Sequence, residues 1–338
     1  MNDRLYSSLL NYNGCIMNAS GALCMSKDEL DKLNISESCA IVSKSCSLEP
    51  RNGNQEPRWY ADIENGISIN SMGLPNLGYN FYYQYFKNRD IQKPKLMSIA
   101  GTSMNEALDI FKLILNEYEF PNAILHDNIY LSDYPDNLFF EFNMSCPNIV
   151  GKPQIGYEFD YMNEYLNNID TIINTFQKNS TFKNKIKYGI KLPPYFDVSH
   201  FNTASEIINK YNVSFVTCIN SIGNGLIIDT ASETVVIKPK EGLGGIGGKV
   251  IKSTALANVN MMRKLLRDDI HIIGCGGIET GEDIFQHILA GADAVQVGTC
   301  LVNEGIDCFD RLNRELIQIM NQKSYQFKND FKGKLKFL

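Results

Sequence analysis

The chain has 338 residues, a mass of 38.2 kDa, 32 Lys+Arg against 38 Asp+Glu, and 44% apolar residues. That composition excludes a disordered chain, a collagen-like fibre and a disulfide-stapled miniprotein. A formal charge of −6 gives no electrostatic ground for nucleic-acid or anionic-membrane partners. Nine cysteines at 15, 24, 39, 46, 146, 218, 275, 300 and 308 form no C-x-x-C pair, which argues against zinc-ribbon and iron–sulfur sites. Reduced thiols and a cytoplasmic location are expected.

In chain order, residues 1–25 lack an apolar run long enough for a signal peptide and are read as a small hairpin closing the barrel bottom. Eight short β-rich runs follow, at 40–43, 67–70, 96–100, 138–143, 187–191, 214–219, 271–275 and 294–298. The stretch from Ser45 to Gly66, rich in turn residues, reads as a loop or hairpin. Helical periodicity fills most other gaps: 103–117, 159–177, 202–211, 253–267, 281–290 and 308–322. In the helix at 281–290, Ile284, His287 and Ile288 share one face, and Glu282 and Asp283 occupy the favourable first turn. Eight strands alternating with helices predict a parallel sheet closed into an α/β (β/α)8 TIM barrel, with an open doubly wound sheet as the alternative. No linker or repeat divides the chain, so residues 1–338 are read as one domain.

A barrel builds its site at the C-terminal ends of its strands. Read in order, those ends carry Lys44 and Ser45; Asn70, Met72 and Gly73; Ala100 and Gly101; Asn143, Ser145, Cys146 and Asn148; Lys191; Asn220 and Ser221; Gly276 and Gly277; Gly298 and Thr299. The set has almost no carboxylates and no histidine, which removes paired-carboxylate hydrolysis and a Ser-His-Asp triad. Glycine runs at 242–248, 274–277 and 297–299 suggest backbone N–H groups cradling a phosphate-bearing ligand. Four asparagines, 70, 143, 148 and 220, each donate and accept, and so match a planar ring of alternating N–H and C=O groups.

Cys146 sits in a polar loop flanked by Gly151 and Gly156, where a thiol suits a general base acting on a carbon acid. Lys44 and Lys191 end apolar strands, the first and fifth in this reading, as Schiff-base formers or as fixed positive charges. His126, His200, His271 and His287 are read as structural.

These residues resemble the soluble class 1A dihydroorotate dehydrogenase family. The matching stretches are S-K-S-C at 43–46, P-R-N-G-N-Q-E-P-R at 50–58, N-S-M-G-L-P-N at 70–76 and N-M-S-C-P-N at 143–148. K-L-P-P-Y-F-D at 191–197, I-N-S-I-G-N-G at 219–225, G-G-I-G-G at 244–248, T-A-L-A-N-V-N at 254–260, G-C-G-G at 274–277 and V-Q-V-G-T at 295–299 complete the series in order. The resemblance implies oxidation of dihydroorotate to orotate with FMN, electrons passing to fumarate to give succinate, as the fourth step of pyrimidine biosynthesis. It implies flavin contacts at Ala19, Ser20, Gly21, Lys44, Ser45, Asn143, Lys191, Asn220, Gly244, Gly245, Gly276, Gly277, Gly298 and Thr299. Substrate contacts are implied at Lys44, Asn70, Met72, Gly73, Leu74, Asn143, Asn148, Asn220 and Ser221, with Cys146 as the catalytic base and no metal. A homodimer without membrane attachment is expected.

The chain departs from the family at Val150, where the loop often carries proline, and in apparent insertions at 119–137 and 172–186. Rival readings are a class 1B-like enzyme reducing NAD through a partner subunit, a Schiff-base aldolase on Lys191, and a flavin-binding module without turnover.

Overall fold

A computed structural model describes residues 14–88, 90–119, 137–145, 154–179 and 186–338. Its largest sheet has eight parallel strands: β1 (Ile16–Asn18), β2 (Ile41–Val42), β5 (Lys95–Ile99), β6 (Leu138–Asn143), β7 (Tyr188–Leu192), β8 (Phe215–Cys218), β13 (His271–Cys275) and β14 (Ala294–Val297). A second, antiparallel sheet joins β3 (Trp59–Asp62), β4 (Ile67–Asn70), β12 (Gly244–Gly248) and β9 (Ile222–Gly225), and β10 (Ile228–Asp229) pairs with β11 (Thr234–Val235). Between these strands lie α1 (Lys27–Ile35), α2 (Tyr79–Phe86), α3 (Met104–Glu119), α4 (Phe159–Asn179), α5 (Val198–Ile208) and α6 (Lys252–Leu265). The last three helices are α7 (Gly281–Ala290), α8 (Thr299–Glu304) and α9 (Cys308–Gln322).

The eight-stranded parallel sheet is the expected barrel, with one strand exchanged. Residues 67–70 belong to the antiparallel sheet, paired with both Trp59–Asp62 and Gly244–Gly248. The missing barrel strand is Ile16–Asn18, parallel to β14 with Met17 opposite Gln296, so residues 14–25 are not a hairpin. Three fully buried residues are too few to show a strand period, whereas I-S-I-N alternates visibly. Lys44 therefore follows the second barrel strand, not the first. Residues 1–13 and most of the apparent insertions lie outside the described residues; 172–179 continue α4.

The seam between β1 and β2 is too short for a ladder. The Cys39 N–H donates to the Ile16 carbonyl at 2.8 Å, and the buried Asn18 carboxamide replaces the next rungs. It donates to the Val42 carbonyl at 2.7 Å and accepts from the Val42 N–H at 2.9 Å. Asn18→Ala leaves both Val42 groups orphaned in a dry interior, and each orphan costs about 1–3 kcal/mol. A loss of about 2–4 kcal/mol in urea unfolding is expected, and an unchanged midpoint would show that the seam does not need this amide.

The outward residues of β6 build the layer against the helices: the Phe111 ring of α3 meets Phe140 at 5.0 Å and Phe142 at 5.3 Å, both edge-on. Its inward residues, by the period of two, are Glu141 and Asn143. Helix α7 starts as predicted, with Thr280 and Asp283 forming a reciprocal cap and Lys252 of α6 pairing with Asp283 at 2.7 Å. Helix α5 starts earlier than its periodicity indicated, because Asp197 caps it by accepting the His200 N–H. No described helix is long and apolar enough to cross a membrane, and the eight described cysteines are free and buried.

Candidate functional site

At the C-terminal mouth of the barrel, short polar side chains link one strand end to the next. Ser20, just past β1, donates from Oγ to the Ser43 carbonyl at 2.9 Å and lies 3.0 Å from Ser45 Oγ. Ser45, past β2, reaches Ser98 Oγ of β5 at 2.9 Å and accepts from Asn143 Nδ2 of β6 at 3.4 Å. Asn143 Oδ1 accepts from Asn220 Nδ2 at 3.2 Å and from the Ser145 N–H at 3.1 Å. The Ser221 N–H donates to Asn220 Oδ1 at 2.8 Å. Each carboxamide is thus oriented by its own chain neighbour, and the linked side chains remain half-buried apart from Ser45 and Ser98, which are buried.

Below this rim lies Lys191 of β7, 4% exposed, whose ammonium donates to Gln296 Oε1 at 2.8 Å and lies 3.8 Å from Cys275 Sγ. Lys44 stands at the edge, its ammonium 3.1 Å from where a side chain on Gly21 would begin. Burial pushes the Cys24 thiol up to about 11, against the opposing pull of the Lys44 charge. That thiol serves as an inert acceptor for the Gly21 N–H at 3.1 Å.

The glycine run at 244–248 forms β12, and it reaches the site. A side chain at Gly245 would collide with Ser221 Oγ, and Asn70 Nδ2 donates to the Gly245 carbonyl at 3.1 Å. Asn70 is therefore no barrel strand end; the antiparallel sheet carries it beside Ser221. At the other end of β12, Gly247 leaves room for the Ser68 and Thr299 hydroxyls, 2.9 Å apart. Gly244 lies so close to the Asn70 carbonyl that any side chain would strike it. A Cβ on Gly298 would touch only Ala19, at 3.7 Å, so the backbone there faces open space.

Gly276 and Gly277 take φ values of +126° and +72° and pack against α6, Gly277 directly on Lys252. Met72, Gly73 and Leu74 lie in a loop held by the segment before β3. The Asn54 N–H donates to the Met72 carbonyl at 2.8 Å, and Gly73 at φ +71° leaves space for the Asn54 carboxamide. Cys146 and Asn148 lie outside the described residues.

His287 is structural, as expected, but it touches this site from behind. Its Nε2–H donates to the Gly276 carbonyl at 3.1 Å, which fixes the tautomer and leaves Nδ1 without a partner among the described residues. Burial pushes the ring down to about 4, with Lys252 adding to that effect while the Gly276 bond and Asp283 act upward. The unfolded ring titrates near 6.5. Between about 6.5 and about 4 the unfolded chain therefore binds more protons than the folded one, and this contribution is full above 6.5 and lost as pH falls. At about 1.4 kcal/mol per unit, the loss reaches about 3 kcal/mol by pH 4. Urea melts from pH 7.5 to 4.5 are expected to show a shallower decline for His287→Gln than for the wild type. Parallel profiles would place the titration elsewhere.

Three residues missed by sequence reasoning lie one layer below the rim. Glu141 of β6, fully buried, accepts at Oε2 from Thr217 Oγ1 of β8 at 2.7 Å and from Gln296 Nε2 of β14 at 2.8 Å. The available signal was a carboxylate in L-F-F-E-F-N and an amide in A-V-Q-V, polar residues at inward positions of otherwise apolar strands.

The dihydroorotate dehydrogenase family model matches residues 7–320. The chain is 44% identical over 328 residues to dihydroorotate dehydrogenase (fumarate) of Trypanosoma brucei brucei, covering 96% of each chain. It is 46% identical over 330 residues to a Streptococcus pyogenes protein (serotype M5, strain Manfredo) whose name carries the same fumarate designation, covering 97% of this chain and 96% of that one. Among solved structures, it superposes on DHODH of Eimeria tenella, crystallised with ferulenol, with a TM-score of 0.72 at 15% identity. That match covers 99% of this chain and 90% of the other and shows a shared fold.

Proposed function

The chain belongs to the dihydroorotate dehydrogenase family, an oxidoreductase family, and on that footing we propose that it oxidises (S)-dihydroorotate to orotate with FMN and passes the electrons to fumarate, a step of pyrimidine biosynthesis. The observation that carries this reading is the polar rim from Ser20 through Ser45 and Asn143 to Asn220, closing over a buried ammonium at Lys191.

FMN fits what the mouth offers: the ammonium groups of Lys44 and Lys191, amides able to donate and accept, and open space over the Gly298 backbone, where a Cβ would meet only Ala19. Lys44, Ser45, Asn143, Lys191, Asn220 and the backbone at 19–21, 244–245, 276–277 and 298–299 would hold it. When bound, FMN supplies a two-electron acceptor for the hydride that leaves C6 of dihydroorotate.

The chain's own contribution is binding, orientation and proton transfer. Asn70, Asn143, Asn148 and Asn220 match the amide edges of the substrate ring, and Lys44 its carboxylate; Met72, Gly73, Leu74 and Ser221 complete that surface. Cys146 takes the proton from C5, a weak carbon acid, which calls for a base held close to it. In the second half-reaction, fumarate offers a carboxylate to the same Lys44 and asparagines, and Cys146 returns the proton. The two substrates then share one site, which gives ping-pong kinetics with orotate competing against fumarate.

The deciding experiment is the visible spectrum of the purified protein under anaerobic conditions. Dihydroorotate is expected to bleach a flavin spectrum and fumarate to restore it. A flavin spectrum unchanged by dihydroorotate, or one restored by NAD and not by fumarate, overturns the proposal.

A further inference from the structure

We infer that Glu141 is the buried countercharge of Lys191 and sets the reduction potential of the flavin that the mouth holds, acting as a positioning residue through Gln296. The inference rests on the flavin-binding reading above and assigns Glu141 a role that the reading itself leaves open.

Glu141 is fully buried and Lys191 is 4% exposed, yet the two make no direct ion pair. Gln296 stands between them. Its carboxamide oxygen accepts from the Lys191 ammonium at 2.8 Å, and its amide nitrogen donates to Glu141 Oε2 at 2.8 Å. Those two bonds fix the carboxamide in one orientation, because a flipped Gln296 would turn its NH2 toward an ammonium and its oxygen toward a carboxylate. Thr217 donates its hydroxyl proton to the same carboxylate oxygen at 2.7 Å. The second oxygen, Oε1, accepts nothing among the described residues.

A buried carboxylate with one bare oxygen is costly to a fold. Stability alone does not account for it. What the arrangement does provide is a fixed negative charge one residue pair below Asn143 and on the same inward face of β6, coupled to the ammonium at the base of the mouth. In an interior of low effective dielectric a fixed charge acts more strongly than in water, so this one biases the reduction of a redox group held at the mouth. Lys191 favours the reduced, more negative flavin; Glu141 opposes it and holds the potential down, which keeps the reduced group able to pass its electrons onward.

The test compares Glu141→Gln with Thr217→Val in flavin-loaded protein, by dithionite titration against a reference dye. Glu141→Gln removes the charge and keeps the shape; Thr217→Val removes a hydrogen bond to the same carboxylate and keeps the charge. The equilibrium constant for flavin reduction is expected to rise about tenfold in Glu141→Gln, which is ~30 mV for a two-electron couple, and to stay within about twofold of wild type in Thr217→Val. An unchanged constant in Glu141→Gln overturns the assignment. Equal shifts in both variants overturn it too, since packing rather than charge would then be responsible. The titration needs bound flavin but no dihydroorotate, so a wild-type flavin that dithionite reduces and dihydroorotate does not would sink the proposed function alone. A wild-type chain that takes up no flavin sinks both.

Discussion

Replacing Cys146 with alanine is expected to leave a flavin-loaded protein whose reduction by dihydroorotate is about 10²–10⁴-fold slower, the usual cost of losing a positioned general base. Among the described residues, the side chains bonded to Asn143 are amides and hydroxyls, and the Glu141 carboxylate on the same strand is fully buried with its bonded oxygen engaged by Thr217 and Gln296. Cys146→Ser should recover a small part of the rate at high pH, because a hydroxyl is a far weaker base than a thiolate. Rapid-mixing absorbance at the flavin band reads the step directly. Unimpaired reduction in the alanine variant would remove Cys146 from the mechanism.

The second large effect is expected at Lys191. Lys191→Ala deletes the ammonium at the base of the mouth and strands Gln296 Oε1, which has it as a donor at 2.8 Å. Loss of a preorganised charge at a site where negative charge develops costs about 10²–10³-fold in rate, and flavin affinity should fall with it. Lys44→Ala provides the contrast. Its ammonium lies at the rim beside Gly21, so the expected change is chiefly a higher KM for dihydroorotate with flavin retained. Thermal melts of both variants separate a folding defect from a site defect. Two yellow variants with normal reduction rates would exclude both lysines from the chemistry.

Much of the barrel is legible without coordinates. The runs at 95–99, 138–143, 188–192, 271–275 and 294–297 are buried on both faces, and a parallel sheet covered by helices writes itself as short apolar stretches of this kind. Helices α7 and α9 match their predicted limits because capping and amphipathic period are local properties. The polar residues Ser45, Asn143, Lys191 and Asn220 were visible as groups at the ends of apolar strands, and the structure brings them to one end of the barrel.

Tertiary structure decided the rest. Ile16–Asn18 is a barrel strand only because β14 lies beside it and Asn18 completes the seam with Val42; three residues carry no period of their own. The alternation at 67–70 correctly marks a strand but not its sheet, because the partners that draw it out of the barrel lie at 59–62 and 244–248. The same pairing makes the glycine run at 244–248 a strand whose missing side chains admit Ser221, Ser68 and Thr299. Glu141, Thr217 and Gln296 sit on strands separated by up to 155 positions, and no local pattern links them. Periodicity and capping are fixed by neighbours within a turn or two of chain, whereas strand choice and a buried charge network depend on which distant backbone comes to lie within hydrogen-bond reach.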